Sequence, residues 1–449
     1  MNMKKRFAYA ALLVLFVAAS AFLLTRVKDY NSKLEAICTE LLPRKKSLTY
    51  AAEWATVKNN VDVLIRKIEI NPSDTRSLLA LTAQYIQEGR NTGNFNYYNK
   101  AALKCINSVL EKDANSFEGL TFKATILLSQ HHFTEGLAIA IKARQLYPHN
   151  AYVYGLLVDG YVEAGKYKEA LEAADKMISI RPDNRSYSRI AYLREIHGDI
   201  PGAIEAMKMA VDAGTSGDEN TEWSRVQLGT LFEKTGNVSE AKMHYTIAVN
   251  NRHNYPYALA GLARMATEEK DYDKAIDLFM QADSVIPDHT FKEGTAEIYN
   301  LKGENEKAKR VAEEILSFMK KFSSKKNKDA GQNEDHEMAH AYMGVNNYDK
   351  ALEYALEEYG RRPANIEVNE TVAIAYYGKG EYAKAIPFIE TALKTNCKNP
   401  ELLCYAGLIY AKAGDKAKAQ LFLSEALKNN PVIPQSLKME CKEILESLN

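Results

Sequence analysis

A small residue returns along this chain at near-constant spacing, and no other feature restricts the fold as strongly. Gly136, Ala170, Ala203, Ala241, Ala275, Ala308, Ala351, Ala385 and Ala419 are separated by 34, 33, 38, 34, 33, 43, 34 and 34 residues. Pro148, Pro182, Pro287, Pro363 and Pro431 keep the same beat. Self-similarity at a period of roughly 20 to 50 residues marks a linear array of small stacked units rather than one globular core. It also overrides the count of about three domains that length alone suggests for 449 residues.

Each period reads as two antiparallel helices. The segments GYVEAGKYKEALEAA from Gly160, AHAYMGVNNYDKALEYA from Ala339 and AIAYYGKGEYAKAIPFI from Ala373 share one pattern of small, aromatic and turn residues. In the first half of a unit, apolar and small residues fall at i, i+3, i+4 and i+7, one face of a helix. Gly165, Gly198, Gly236, Gly303, Gly380 and Gly414 stop that helix, because glycine accepts the left-handed turn at a helix end. Small residues such as Ala263, Ala296, Ala339 and Ala373 then face the small residue that opens the second helix, which lets the two axes approach closely. Pro followed by Asp or Asn, as in Pro182-Asp183-Asn184, ends one unit and caps the next.

Period, glycine turn, aromatic positions and terminal proline together resemble the tetratricopeptide repeat. The resemblance covers about Phe117 to Pro431 in nine units, with Asp74 to Asp113 as a tenth, and Tyr192 to Asn237 resembles a bacterial subfamily with a lengthened loop. It implies an all-α, right-handed α-α superhelical solenoid after an N-terminal transmembrane or signal helix. The expected domains are an anchor or signal peptide at 1–28 and a helical lead-in at 29–72. A solenoid of about ten repeats follows at 73–433, then a capping helix at 434–449. A Lys-rich loop at 320–335 lengthens one unit and reads as a surface loop.

The anchor is expected from Phe7 to Leu24, 18 residues without a charge, preceded by Lys4, Lys5 and Arg6. That run is near the length of a bilayer span, and the basic cluster should stay cytoplasmic, leaving the repeats outside the cytoplasm. The alternative is a soluble periplasmic protein released by cleavage after Ala21 in Ala19-Ser20-Ala21. Five irregularly spaced cysteines, Cys38, Cys105, Cys397, Cys404 and Cys441, form no disulfide framework or CxxC pair, although a Cys397–Cys404 bridge is conceivable. Lys plus Arg and Asp plus Glu both total 58, so the broad basic footprint of a nucleic-acid binder is absent.

No phosphate-binding glycine loop, dinucleotide fingerprint or nucleophile elbow occurs, so neither catalysis nor a cofactor is expected. His336-Glu337-x-x-His340 spells the zinc-protease motif, with Glu357 or Glu358 available as a third ligand, and gives the alternative of a zinc metalloprotease or metal-binding protein. Against this, Ala339, Tyr342 and Tyr348 already fill repeat columns in that segment.

The resemblance points instead to a protein or peptide partner held in a concave groove lined by the first helices. The candidate groove residues are Tyr152, Asp159, Arg185, Tyr192, Trp223, Tyr257 and Arg264, then Glu293, Glu297, His336, His340, Glu367, Glu370 and Tyr377. Their central part is aromatic and basic and their later part acidic, a mixture that suits binding hot spots. The Lys and Asn clamp by which chaperone-binding members hold a terminal carboxylate is not reproduced.

Overall fold

A computed structural model describes residues 13, 15–25, 37–48, 51–322 and 333–448. Every regular element among the described residues is helical, and the chain divides into two compact units. The first comprises residues 1–44, 49–90 and 94–122, and the second residues 45–48, 91–93 and 123–449.

In the first unit α1 (Ala51–Ile70) precedes the antiparallel pair α2 (Thr75–Thr92) and α3 (Phe95–Lys112), and α4 (Phe117–Ser129) begins here. The backbone of residues 38–44 lies along the pair, with the N–H groups of Thr39 and Leu42 donating to the Tyr85 and Tyr98 hydroxyls, each at 3.1 Å. Arg44 closes this segment. Its guanidinium donates to Glu88 at 3.0 Å and Glu53 at 2.7 Å and lies 4.9 Å from the centre of the Trp54 ring. A buried cation is tolerated here because its donors meet carboxylates and its flat face meets an indole.

The second unit is a run of helix pairs. α4 pairs with α5 (Phe133–Leu146), and α6 (Ala151–Glu163) with α7 (Tyr167–Ile180). Next come α8 (Asn184–Ile196) with α9 (Ile200–Asp212), and α10 (Glu219–Lys234) with α11 (Val238–Asn251). α12 (Pro256–Glu268) pairs with α13 (Tyr272–Val285), and α14 (His289–Leu301) with α15 (Asn305–Phe322). The last pairs are α16 (Asp335–Gly344) with α17 (Tyr348–Arg361), α18 (Ile366–Gly378) with α19 (Tyr382–Ala392) and α20 (Pro400–Ala413) with α21 (Lys416–Ala426), capped by α22 (Gln435–Leu448).

The repeated Ala positions all lie inside the pairs, from Ala170 at 0% to Ala308 at 4% exposure. The six expected glycines end the first helices with φ between +70° and +91°. Three pairs turn without glycine, at His131, Lys270 and Asn346, each with φ near +60°. Asp or Asn caps the N-terminus of most helices; Asp183 and Ser186 form a reciprocal capping box on α8.

The second unit also returns onto itself. Arg362 pairs with Glu163, the Ile366 N–H donates to the Tyr167 hydroxyl at 2.9 Å, and the Val432 N–H donates to the Glu233 carbonyl at 3.0 Å; each pair is 199 residues apart. The turns at Gly165, Gly198 and Gly236 therefore sit against the loops at Ala364, Asn396 and Asn429, five repeats further on. A Cβ on any of the three would strike backbone across this seam, whereas Gly303 and Gly414 have nothing within 4 Å.

Two expectations meet their limits here. All five cysteines are free thiols, and Cys441 hydrogen-bonds Cys404, so the conceivable Cys397–Cys404 bridge is not formed. No helix among the described residues is long and apolar enough to cross a membrane. Of the expected anchor, Leu13 and residues 15–24 are described, as helix, and the rest lies outside the described residues, as does most of the Lys-rich loop.

Candidate functional site

First helices of successive pairs touch one another and line the inner side of the second unit. Three of them, α10, α12 and α14, present an aromatic row in register. Trp223 and Tyr257 meet edge to face at 5.1 Å between ring centres, and Tyr257 meets Phe291 at 5.9 Å. These residues follow one another at 34-residue intervals, so the repeat itself stacks them.

One helical turn deeper the row rests on a polar floor. Tyr245 of α11 is wholly buried between Gly229 and Gly261; a Cβ on either glycine would lie 2.6 Å from its ring. Its hydroxyl lies 3.1 Å from Thr230 Oγ1 and accepts from Arg264 at 3.3 Å. Arg264 in turn makes a two-pronged contact to Glu233, at 3.0 and 3.1 Å. The glycines let the tyrosine in, the tyrosine helps fix the arginine, and the arginine fixes the carboxylate.

The opposite wall comes from the next turn of the superhelix. Asn399 to Glu401 at the start of α20 and Val432 to Gln435 at the entry to α22 wall a half-open cavity of about 640 Å³. That size suits a short peptide segment or a small organic ligand. Glu268 accepts from Lys438 at 3.4 Å, and Glu297 from the Ser436 N–H at 2.9 Å, so the C-terminal segment is tied to this rim by hydrogen bonds. Lys234 is neutralised by Glu195 at 2.6 Å.

Of the candidate groove residues, Trp223, Tyr257, Arg264, Glu293 and Glu297 line this cavity together. The others are engaged elsewhere in the second unit. Tyr152 lies 2.7 Å from Thr125 Oγ1 and under the Arg185 guanidinium, and Asp159 holds Arg189 at 2.7 Å. Tyr192 donates to Glu367 at 3.0 Å, joining α8 to α18 across the seam. Tyr377 contacts Glu440 of the capping helix at 2.5 Å. Burial, with Glu401 and Glu367 nearby, pushes the Glu370 carboxyl up to about 8.

His336 and His340 sit on α16 with ring centres 4.8 Å apart and planes tilted by 55°, and both face Thr371, at 3.5 and 3.2 Å. Burial lowers them to about 4 and about 3, so both are neutral at pH 7. Glu337 lies 3.4 Å from His131, and Glu358 is occupied by Arg361 and Arg362. No third His, Cys, Asp or Glu among the described residues joins the pair to make a metal-holding group. A hydrolytic zinc site needs three protein ligands and an open position, and that set does not assemble among the described residues.

Sequence reasoning missed Glu233, Lys234, Phe291, Glu268 and Glu401, together with the 432–435 wall. Phe291 carried a signal, lying one period beyond Tyr257. Glu401 and the wall carried none, because they reach the cavity only through the pitch of the superhelix.

The tetratricopeptide repeat family matches this chain at residues 336–396 and 371–432. These windows span the three pairs from α16 to α21, and the same antiparallel pair recurs through the rest of the second unit. Residues 336–432 are tetratricopeptide repeats. Among solved structures it is similar to a tetratricopeptide repeat protein of Parabacteroides merdae at 20% identity, over 59% of this chain and 98% of that one, with a TM-score of 0.33. It is also similar to the protein TTC0263 of Thermus thermophilus, at 19% identity over 44% and 99%, with a TM-score of 0.37. Human IFIT1, solved with m7Gppp-AAAA, matches at 14% identity over 78% and 80%, with a TM-score of 0.49. No curated protein matches the sequence.

Proposed function

We propose that this chain is a noncatalytic adaptor that holds a segment of a partner protein or peptide in the cavity between α10, α12, α14 and the following superhelical turn. One observation carries the reading: a row of three aromatic rings opens onto a half-open, pre-formed space of about 640 Å³. Aromatic side chains supply large contact area at low entropy cost, and Trp, Tyr and Arg are the residues that dominate binding surfaces. Fixed walls reduce the ordering cost of association. Carboxylates outnumber cations around the space, which disfavours a nucleic-acid phosphate.

Membrane attachment belongs to the same proposal. Leu15, Phe16, Phe22, Leu23 and Leu24 are 60 to 71% exposed. An exposed apolar stretch of this kind supports an N-terminal anchor, with the repeats outside the cytoplasm. Intact mass of the mature protein separates retention of this segment from release after Ala21.

The adaptor reading is tested by a photo-crosslinking residue at Tyr257, with Lys242 on the outer helix α11 as control. A discrete adduct from position 257 alone supports the reading. Equal adducts from both positions, or none, refute it.

A further inference from the structure

One stretch of the second unit belongs to no helix pair. Between the end of α21 at Ala426 and the start of α22 at Gln435 the chain leaves the repeat and passes over the first helices. Asn429 and Asn430 make the bend, both with left-handed φ, +62° and +52°. Pro431 and Pro434 then bound the apolar pair Val432-Ile433. The segment crosses three successive first helices and is held by one residue of each. The Val432 N–H donates to the Glu233 carbonyl of α10 at 3.0 Å. Gln435 Nε2 and Lys438 Nζ, the latter at 3.4 Å, donate to the Glu268 carboxylate at the end of α12. The Ser436 N–H and hydroxyl donate to the two carboxylate oxygens of Glu297 on α14, at 2.9 and 3.0 Å. Val432 packs against the core of α10 to α12, and Ile433 is buried in the core under α22 with Leu403, Leu437 and Cys441. Main-chain and side-chain donors thus meet one acceptor residue per helix, and adjacent apolar side chains go to different cores. That is how a groove holds a peptide.

We infer that the edge formed by Glu233, Glu268 and Glu297 takes a segment of the partner polypeptide with the chemistry of residues 431–438, and that the chain's own segment is its resident competitor. The chemistry is an apolar pair bounded by prolines and followed by amide, hydroxyl and ammonium donors. The inference rests on the adaptor reading and names what the adaptor holds.

Two features make the resident segment displaceable. Left-handed backbone strains a residue that bears a side chain, so leaving the bend at Asn429 and Asn430 relieves strain. Pro434 and Ser436 are exposed, so an incoming chain reaches the segment from solvent. The first helices and α20 stay in place, and the segment is the wall that moves. Lys438 lies in the first turn of α22, so exchange opens that end of the helix over Cys404 and Cys441, both wholly buried.

The test uses the full chain and a fluorescein-labelled peptide of residues 431–438, Pro-Val-Ile-Pro-Gln-Ser-Leu-Lys-amide, read by anisotropy. A control peptide carries Leu for Gln, Ala for Ser and norleucine for Lys, which keeps the apolar part and loses the side-chain donors. The expected result is weak binding to the unmodified chain and at least about tenfold tighter binding to Gln435→Ala/Ser436→Ala, whose own segment is loosened. The control peptide should bind that variant at least about tenfold more weakly than its parent, a comparison that needs no further change in the protein. Bound peptide should raise maleimide labelling of Cys404 and Cys441, mapped by mass spectrometry, and leave the buried Cys105 of the first unit unlabelled. Absence of binding to the loosened variant, equal affinity for the two protein forms, equal binding of the two peptides, or binding that leaves Cys404 and Cys441 protected overturns the inference. Self-association of the variant that the peptide dissolves makes the occupant a second copy and overturns the separate partner. A Tyr257 adduct without peptide binding removes this chemistry and leaves the adaptor reading standing; absence of both removes the two together.

Discussion

Glycine has two jobs in the turns of this protein, and they separate at single residues. Gly236 and Gly303 both have φ above +70°, so alanine at either meets left-handed strain of about 1 kcal/mol. Only Gly236 also abuts backbone of the following superhelical turn. Gly236→Ala should therefore cost about 1–3 kcal/mol more than Gly303→Ala in urea unfolding; equal losses would mean the seam contributes nothing there. Lys270 occupies the same kind of turn at φ +60° and is exposed, so Lys270→Gly should stabilise the protein by about 0.5–1 kcal/mol. A lower unfolding midpoint would contradict that. The six glycine stops were legible because few residues accept that conformation. His131, Lys270 and Asn346 were not, because their side chains do not announce it.

At the scale of elements, first helices carry both packing and chemistry, and pH separates the two. His336 and His340 on α16 are lowered by burial to about 4 and about 3. Unfolding restores them to about 6.5, so the unfolded chain binds more protons between those values. Their contribution to stability is therefore fully present above about pH 6.5 and is lost as pH falls toward 4. Glu370, raised by burial to about 8, acts with the opposite sign, so the comparison must be between variants. His340→Gln should flatten the fall in unfolding free energy between pH 6.5 and 4; parallel profiles would show that His340 does not titrate on unfolding. The HExxH spelling on this helix was legible and misleading. Repeat columns fix Ala339 and Tyr342, and the two histidines fall on the face that meets Thr371 of the next first helix. Trp223, Tyr257 and Arg264 were legible as groove residues because the period places them on successive first helices. Tyr245, which supports Arg264 from the second helix, was not.

At the scale of the second unit, the sequence determines the repeat but hides how far each repeat is rotated on the last. Small rotations accumulate until Gly165, Gly198 and Gly236 meet loops five repeats later. The open groove expected from the repeat thereby becomes a cavity with two walls. That closure brings Glu401 and the 432–435 segment to the aromatic row. Amide hydrogen exchange tests it most directly. The Val432 N–H lies outside any helix and has the Glu233 carbonyl as its acceptor, and the Ile366 N–H, at a helix start, has the Tyr167 hydroxyl. Such amides exchange fast when they face water. We predict protection at both, with Tyr167→Phe releasing Ile366; fast exchange of Val432 and Ile366 in the intact protein would show that the turns do not meet.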